Sequence, residues 1–196
     1  MSQLDGTGMK RLHREWRRRT TGRLALVLDN VQNPFNIGSI VRTAAAERVD
    51  HIFIGGGTEP SHDKVNKTAL GTARYLTWEV FADGPTAVAA AKAAGYRTVA
   101  VELTSEAVPL HEVEMGTDVA LVIGHEDRGV TAATLRLCDA VAFIPQLGKV
   151  GSLNVAAATS IAIYEARRRS WTGNEIRPDL PPASGRLATD VEDLIE

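Results

Sequence analysis

One cysteine, Cys138, stands in a chain of 196 residues, so no disulfide within the chain can brace its fold. That excludes the small cross-linked scaffolds of oxidising compartments and leads us to expect a cytoplasmic protein. The five histidines do not fall at metal-ligand spacing, and no metal is expected. No apolar run approaches the roughly 20 residues that cross a bilayer. Nothing resembles a secretory signal either, because a block of arginines precedes the first apolar run. Also missing are a G-x-G-x-x-G after the first strand and a G-x-x-x-x-G-K-[ST], which weakens a nucleotide-binding module built on Gly55, Gly56 and Gly57. Internal repeats and low-complexity tracts are absent.

The charge that is present lies unevenly. Residues 1–22 carry Lys10, Arg11, Arg14, Arg17, Arg18 and Arg19 against only Asp5 and Glu15. Met9, Leu12 and Trp16 recur there at helical spacing, which predicts a short amphipathic helix resting on the body of the protein. A basic arm of this kind suits a polyanion, although a solvated surface helix would look the same. The segment 172–196 is acidic and contains Pro178, Pro181 and Pro182, and reads as a solvated tail.

Between them, compact apolar runs alternate with helical patterns. Strands are expected at Leu24–Leu28, His51–Ile54, 75–81, Arg97–Leu103, Val119–Ile123 and Ala140–Ile144. Helices are expected from Asn36, over Thr86–Ala94, and at 131–137 and 152–169. Such alternation predicts an α/β domain with a mostly parallel sheet, covered by helices on both faces. In such sheets ligands bind at the carboxyl ends of the strands.

Three segments fall at those junctions. The first, Asn30 to Arg42, has asparagines at 30, 33 and 36, then Gly38 and Arg42. Buried amides must each find a partner, and Asn36 is a candidate N-cap. Gly38 weakens a helix by roughly 1 kcal/mol relative to Ala, which implies close approach by backbone or ligand. In the second, Leu121 to Gly129, an apolar strand ends at Gly124 and Glu126 follows at the edge of the loop. In the third, Ile144 to Ala158, the chain passes Gly148 and Gly151 and enters a helix with Ser152 as candidate N-cap and Asn154 beside it. A small-residue face over Ala156–Ala158, Ser160 and Ala162 lets another element approach closely. Each segment also has a plain reading as a turn or a glycine loop before a core helix.

Together and in this order, N-x-x-N-x-x-N-x-G-x-x-x-R, G-x-E-x-x-G and S-L-N resemble the three motifs of the TrmH/SpoU family of RNA 2′-O-ribose methyltransferases, over about residues 22–170. The resemblance implies a SPOUT fold, an α/β domain with a deep C-terminal trefoil knot, occupying residues 23–171. It implies S-adenosylmethionine as cofactor, RNA as substrate and a homodimer in which each site is completed by the other subunit. By the same resemblance Arg42 is the catalytic arginine and Asn36 positions it. Glu126, Ser152 and Asn154 surround cofactor and ribose, and Gly124, Ile144 and Leu153 grip the adenosine. Thr68, in a segment 64–73 that looks like a family loop, is expected to face RNA, and on its charge alone the arm is expected to hold RNA backbone through Arg14, Arg17 and Arg18. One of Arg167, Arg168 and Arg169 reaches the site. With room for only a helix before the first strand, tRNA is favoured over rRNA, with the D-loop guanosine 18 as the expected target. A non-catalytic RNA-binding relative is the remaining alternative.

The chemistry is coherent. A ribose 2′-hydroxyl must lose its proton as it attacks a methyl sulfonium. An arginine can serve as the proton acceptor if its surroundings strip its charge, or can remain charged and stabilise the developing alkoxide.

Overall fold

The computed structural model describes residues 3–171, so the acidic segment 172–196 lies outside the described residues. Seven strands form one sheet: β1 Leu24–Asp29, β2 His51–Gly55, β3 Trp78–Phe81, β4 Arg97–Val101, β5 Val108–Pro109, β6 Val119–Ile123 and β7 Ala140–Phe143. Their order is β3-β2-β1-β6-β4-β7-β5, and every pairing is parallel. All residues of β1 and β6 are buried, as continuous Val/Leu/Ile runs demand when helices cover both faces of a sheet.

One face packs under α2 (Pro34–Ala46), α3 (Asp63–Ala69) and α6 (Val155–Ser170), around Leu26, Leu28, Ile37, Ile40, Leu121 and Ile163. The other packs under α4 (Gly84–Ala93) and the single turn α5 (Ala132–Leu135), around Val27, Phe53, Val88 and Val122. Fully burying one such aliphatic side chain stabilises the fold by about 1.5–3 kcal/mol. Among the described residues no helix is long and apolar enough to cross a membrane.

Several expectations need correction. Helix α2 starts two residues early, capped by Asn33, whose Oδ1 accepts from the Phe35 N–H at 2.9 Å. Pro34 explains this, because its fixed φ and missing N–H suit the first helical position. That frees Asn36 for other work. Helix α6 is capped by Asn154 and not by Ser152: its Oδ1 accepts from Ala156 and Ala157 N–H at 2.9 and 3.3 Å. The segment 64–73 is not a loop, since α3 and a 3-10 turn, Thr72–Tyr75, occupy it. They shorten the next strand to Trp78–Phe81.

Gly38 is needed for packing. A Cβ there would lie 2.5 Å from Thr68 Cβ and 3.0 Å from the Val65 carbonyl, so α3 and α2 touch where only hydrogen fits. The small residues of α6 serve similarly, bringing Ser160 within 3.2 Å of Thr43 on α2.

The basic helix exists as α1 (Gly6–Arg19), but it buries none of its residues. Met9 remains 48% exposed and Trp16 37%, so the helix does not rest its apolar stripe on the body. Its attachment is at its end, where Trp16 packs at a tilt against Trp171 with ring centres 4.8 Å apart and the Thr21 N–H donates to the Ser170 carbonyl.

Candidate active site

The three sequence segments meet at the carboxyl ends of the strands. Glu126, just beyond β6, accepts from the backbone N–H of Asn33 at 2.8 Å and of Gln32 at 3.2 Å. It also accepts from the side-chain amide of Asn36 at 3.2 Å. Asn36 Oδ1 in turn accepts from Asn154 Nδ2 at 3.0 Å, and Asn154 caps α6. One chain of hydrogen bonds therefore runs from the first segment through the second to the third. Partial burial pushes the Glu126 carboxyl upward, but the bonds it accepts from its own backbone, Asn33, Asn36 and Gln32 outweigh that and hold it below the usual carboxylate range.

Beside this network opens a pocket of about 510 Å³, lined among others by Gly124, Glu126, Ile144, Ser152 and Leu153. Its rim is built by a tight loop, in which His125 and Gly129 exchange backbone hydrogen bonds at 3.0 and 2.9 Å. Gly129 has φ +67, and a side chain there would run into the Glu102 carboxylate. That conformation favours glycine, and here space requires it too.

Glu102, which sequence reasoning missed, follows β4 and accepts from the Val130 N–H at 2.8 Å while lining the pocket. Its only sequence signal was a carboxylate directly after an apolar strand. Val101, Leu103, Ile123 and Phe143 supply the apolar wall. Neither Glu102 nor Glu126 is ion-paired with a lysine or arginine among the described residues. The arrangement can hold a ligand with an apolar ring system, hydroxyls and positive charge.

Other expected site residues lie elsewhere. Arg42 is exposed on α2, has no hydrogen-bond or ion-pair partner among the described residues, and does not line the pocket of its own chain. Thr68 is half-buried against Gly38, and its hydroxyl donates to the Lys64 carbonyl at 3.4 Å. Arg14, Arg17 and Arg18 are exposed on α1.

Arg167, Arg168 and Arg169 sit at the far end of α6, and none of them lines the pocket. Arg167 donates to the Glu47 and Arg48 carbonyls, Arg168 pairs with Glu165, and Arg169 bridges Glu165 to the Leu110 and Val113 carbonyls. No cluster of metal-ligating side chains occurs among the described residues.

Comparison with known proteins bears on the same elements. The model of the SpoU rRNA methylase family matches residues 23–164, from the start of β1 well into α6. The 23S rRNA (guanosine(2553)-2′-O)-methyltransferase RlmP of Bacillus subtilis is 34% identical over 148 residues, 75% of this chain and 59% of its own. The tRNA (guanosine(18)-2′-O)-methyltransferase of Thermus thermophilus is 33% identical over 168 residues, covering 84% of this chain and 85% of its own. An rRNA methyltransferase from Sinorhizobium meliloti, solved with AdoMet bound, superposes with a TM-score of 0.68 at 30% identity, covering 77% of this chain and 58% of that one. The chain spans little more than half the length of several curated relatives it matches, 56% and 54% in two further cases. With the family match extending over β1, both pocket loops and most of α6, the chain belongs to the SpoU methylase family.

Proposed function

We propose that this chain transfers a methyl group from S-adenosylmethionine to a ribose 2′-hydroxyl of RNA. The observation that carries the reading is the Glu126–Asn36–Asn154 network, which ties all three motif segments to the mouth of one pocket. The residues present fit the cofactor: an apolar wall for adenine, Glu102 for ribose hydroxyls, and carboxylates that no lysine or arginine pairs with among the described residues, which favour a sulfonium. Gly124, Ile144 and Leu153 would hold it through the backbone, with Ser152 at the edge. Bound there, it supplies an electrophilic methyl.

Residues 23–171 form the methyltransferase domain in this reading, with the chain from β6 to α6 threaded as a trefoil knot. The insertion of β6 between β1 and β4, with β7 beyond β4, supports that topology. Arg42 lies on the outer side of α2, so it would serve the pocket of a second copy in a homodimer. The exposed Phe35 on α2, with Ile161 and Tyr164 on the neighbouring α6, offers an apolar face for that contact. There Arg42 either takes the hydroxyl proton or stabilises the developing charge on oxygen. Arg14, Arg17 and Arg18 of the arm (residues 1–22) would hold RNA backbone.

Transfer RNA is the favoured substrate, with guanosine 18 as the target. In support, the similarity to the tRNA-modifying relative runs over 168 residues, against 148 for RlmP. The test is incubation of the chelator-treated protein with labelled S-adenosylmethionine and either tRNA or ribosomal RNA, followed by nucleoside mass spectrometry. A 2′-O-methylguanosine in tRNA is expected. Methylation only of ribosomal RNA would transfer the activity to the other substrate, and RNA binding without methyl transfer would leave a non-catalytic relative.

A further inference from the structure

Outside the pocket lining, the connection between α3 and β3 presents an arrangement that the methyl-transfer reading does not use. Ala73 and Leu76 are buried and anchor the 3-10 turn, while the two residues between them, Arg74 and Tyr75, project outward. Tyr75 is 66% exposed. The Arg74 guanidinium lies 4.8 Å from the centre of its ring and donates to its hydroxyl at 2.8 Å, so the pair is held as a unit with one ring face covered. Just before it, Leu70 is 66% exposed in a left-handed conformation, φ +52, uncommon for a leucine. Lys64 and Lys67 are exposed on α3. The whole segment packs on α2, and Gly38, where α3 touches α2, is one helical turn from Arg42.

We propose that Arg74 and Tyr75 form a stacking platform for one unpaired nucleobase of the RNA, with Lys64 and Lys67 on the flanking phosphates. The inference rests on the RNA-methyltransferase reading and names a recognition element for it. The exposed ring sits against the Arg74 guanidinium, and Lys64 and Lys67 are exposed on the preceding helix, so the segment pairs one aromatic face with positive charge. A nucleotide fits both parts, because every base has a face that stacks on an aromatic ring and every linkage carries a negative charge. A cation on one side of the ring leaves the other side free for the base. The placement also suits the chemistry. A base held on this turn, which packs on α2, would keep a neighbouring ribose near Arg42 of the same helix.

The test compares Tyr75→Ala, Tyr75→Phe and Arg74→Ala with the wild type. Affinity is measured by filter binding with labelled bulk tRNA and, separately, with fragmented ribosomal RNA. Melting temperature and S-adenosylmethionine affinity are followed in parallel. Tyr75→Ala is expected to weaken binding of the RNA that is bound by roughly 5- to 150-fold, the cost of one lost base–aromatic stack. Tyr75→Phe should stay within about 3-fold of wild type, because the ring and not the hydroxyl carries the stack. Melting temperature and cofactor affinity should not move, since both side chains are outside the core and the pocket. If Tyr75→Ala binds RNA like a wild type that does bind and methylate RNA, the platform is wrong and the parent reading stands. If the wild type binds neither RNA, both are wrong. Equal losses in Tyr75→Phe and Tyr75→Ala also overturn the platform.

Discussion

At the amino ends of the strands, three aspartates each accept a hydrogen bond from the backbone of a neighbouring strand: Asp50 from Leu24, Asp118 from Arg23 and Asp139 from Thr98. Each also faces a cation: Arg167 lies 3.6 Å from Asp50, Arg23 2.9 Å from Asp118 and Lys92 2.6 Å from Asp139. At the carboxyl ends, Asp29, Glu102 and Glu126 accept from backbone N–H groups in the same way, yet no lysine or arginine pairs with them among the described residues. One end closes the sheet with ion pairs, and the other holds its loops with carboxylates, two of which, Glu102 and Glu126, face the pocket. The arginines tell the same story. Arg167 is 4% exposed with its donors engaged, whereas Arg42 is exposed and has no side-chain partner among the described residues. A held arginine is structural. An unheld one is available to a substrate.

The largest effect expected from this contrast is at Arg42. Arg42→Ala should lower the single-turnover rate of methyl transfer by roughly 10²–10⁴-fold, as loss of a general base or an oxyanion stabiliser does. Arg42→Lys should also be severely impaired, because a lysine lacks the planar fork. Neither variant should change the melting temperature or the affinity for S-adenosylmethionine, given that Arg42 is outside the core and does not line the pocket of its own chain. Near wild-type turnover in Arg42→Ala would remove it from the mechanism.

Arg167 should behave in the opposite way. Removing it leaves the Glu47 and Arg48 carbonyls without their donor at the end of α2 and Asp50 without its cation. Arg167→Ala should therefore cost about 2–4 kcal/mol of stability, a fall in melting temperature of roughly 5–15 °C. Turnover at 25 °C per folded molecule should be retained. A variant that melts normally but has lost activity would erase the distinction drawn between the two arginines.

Glu126 sharpens the comparison at the open end. Its carboxyl is held below the usual range, so its stabilisation is present above the unfolded value and is lost as pH falls through the folded one. Glu126→Gln keeps the shape but removes the charge and brings an N–H toward groups that donate. The expected cost is about 1–3 kcal/mol, with weaker cofactor binding because the pocket rim loosens. The acid limb of stability below pH 4 should also be shallower than in wild type. Asp139, held at about 2 by bonds from Lys92 and Thr98 that outweigh its burial, still titrates in that variant. A Glu126→Gln protein with wild-type melting at every pH and wild-type cofactor affinity would show that the network does not hold the site.

Much of this was legible in the sequence, for physical reasons that can be named. Val119–Ile123 reads as a buried strand because five apolar residues in a row have no polar face. The motif asparagines and Glu126 are readable because amides and a carboxylate spaced along loops at strand and helix ends need hydrogen-bond partners there, although not which partners. The exact helix starts were not readable: Pro34 moved the cap to Asn33, and the amide of Asn154 displaced the hydroxyl of Ser152. Helix α3 is seven residues long, too short for its periodicity to stand out. Glu102 was invisible because its role is created by Gly129 and Val130, far along the chain. The direction in which Arg42 points was beyond reach, since an arginine beside an apolar stripe can face either a pocket or solvent.

The smallest expected effect tests the exception at the closed end. His51, at the start of β2, is where a buried side-chain nitrogen, Nε2, has no partner among the described residues. Its Nδ1 lies 3.0 Å from the Thr77 hydroxyl, and that hydroxyl donates to the Asp50 carbonyl at 2.9 Å. The Nδ1 must therefore carry the proton and Nε2 is a bare acceptor packed near Phe53, whose ring centre is 4.5 Å away. Burial lowers the imidazole below its ordinary value, against a smaller upward pull from Glu79. The unfolded chain then binds this proton more readily than the folded one. Stability should be complete above pH 6.5 and fall as pH drops through the lower folded value. This window lies well above the one set by Asp118, Glu126 and Asp139, so the two can be separated. His51→Leu removes the titration, and between pH 7 and pH 5 its melting temperature should fall less than that of wild type, by on the order of 1–3 °C. If both proteins lose the same amount over that interval, His51 is not the group responsible, and the closed end has no weak point in its pairing.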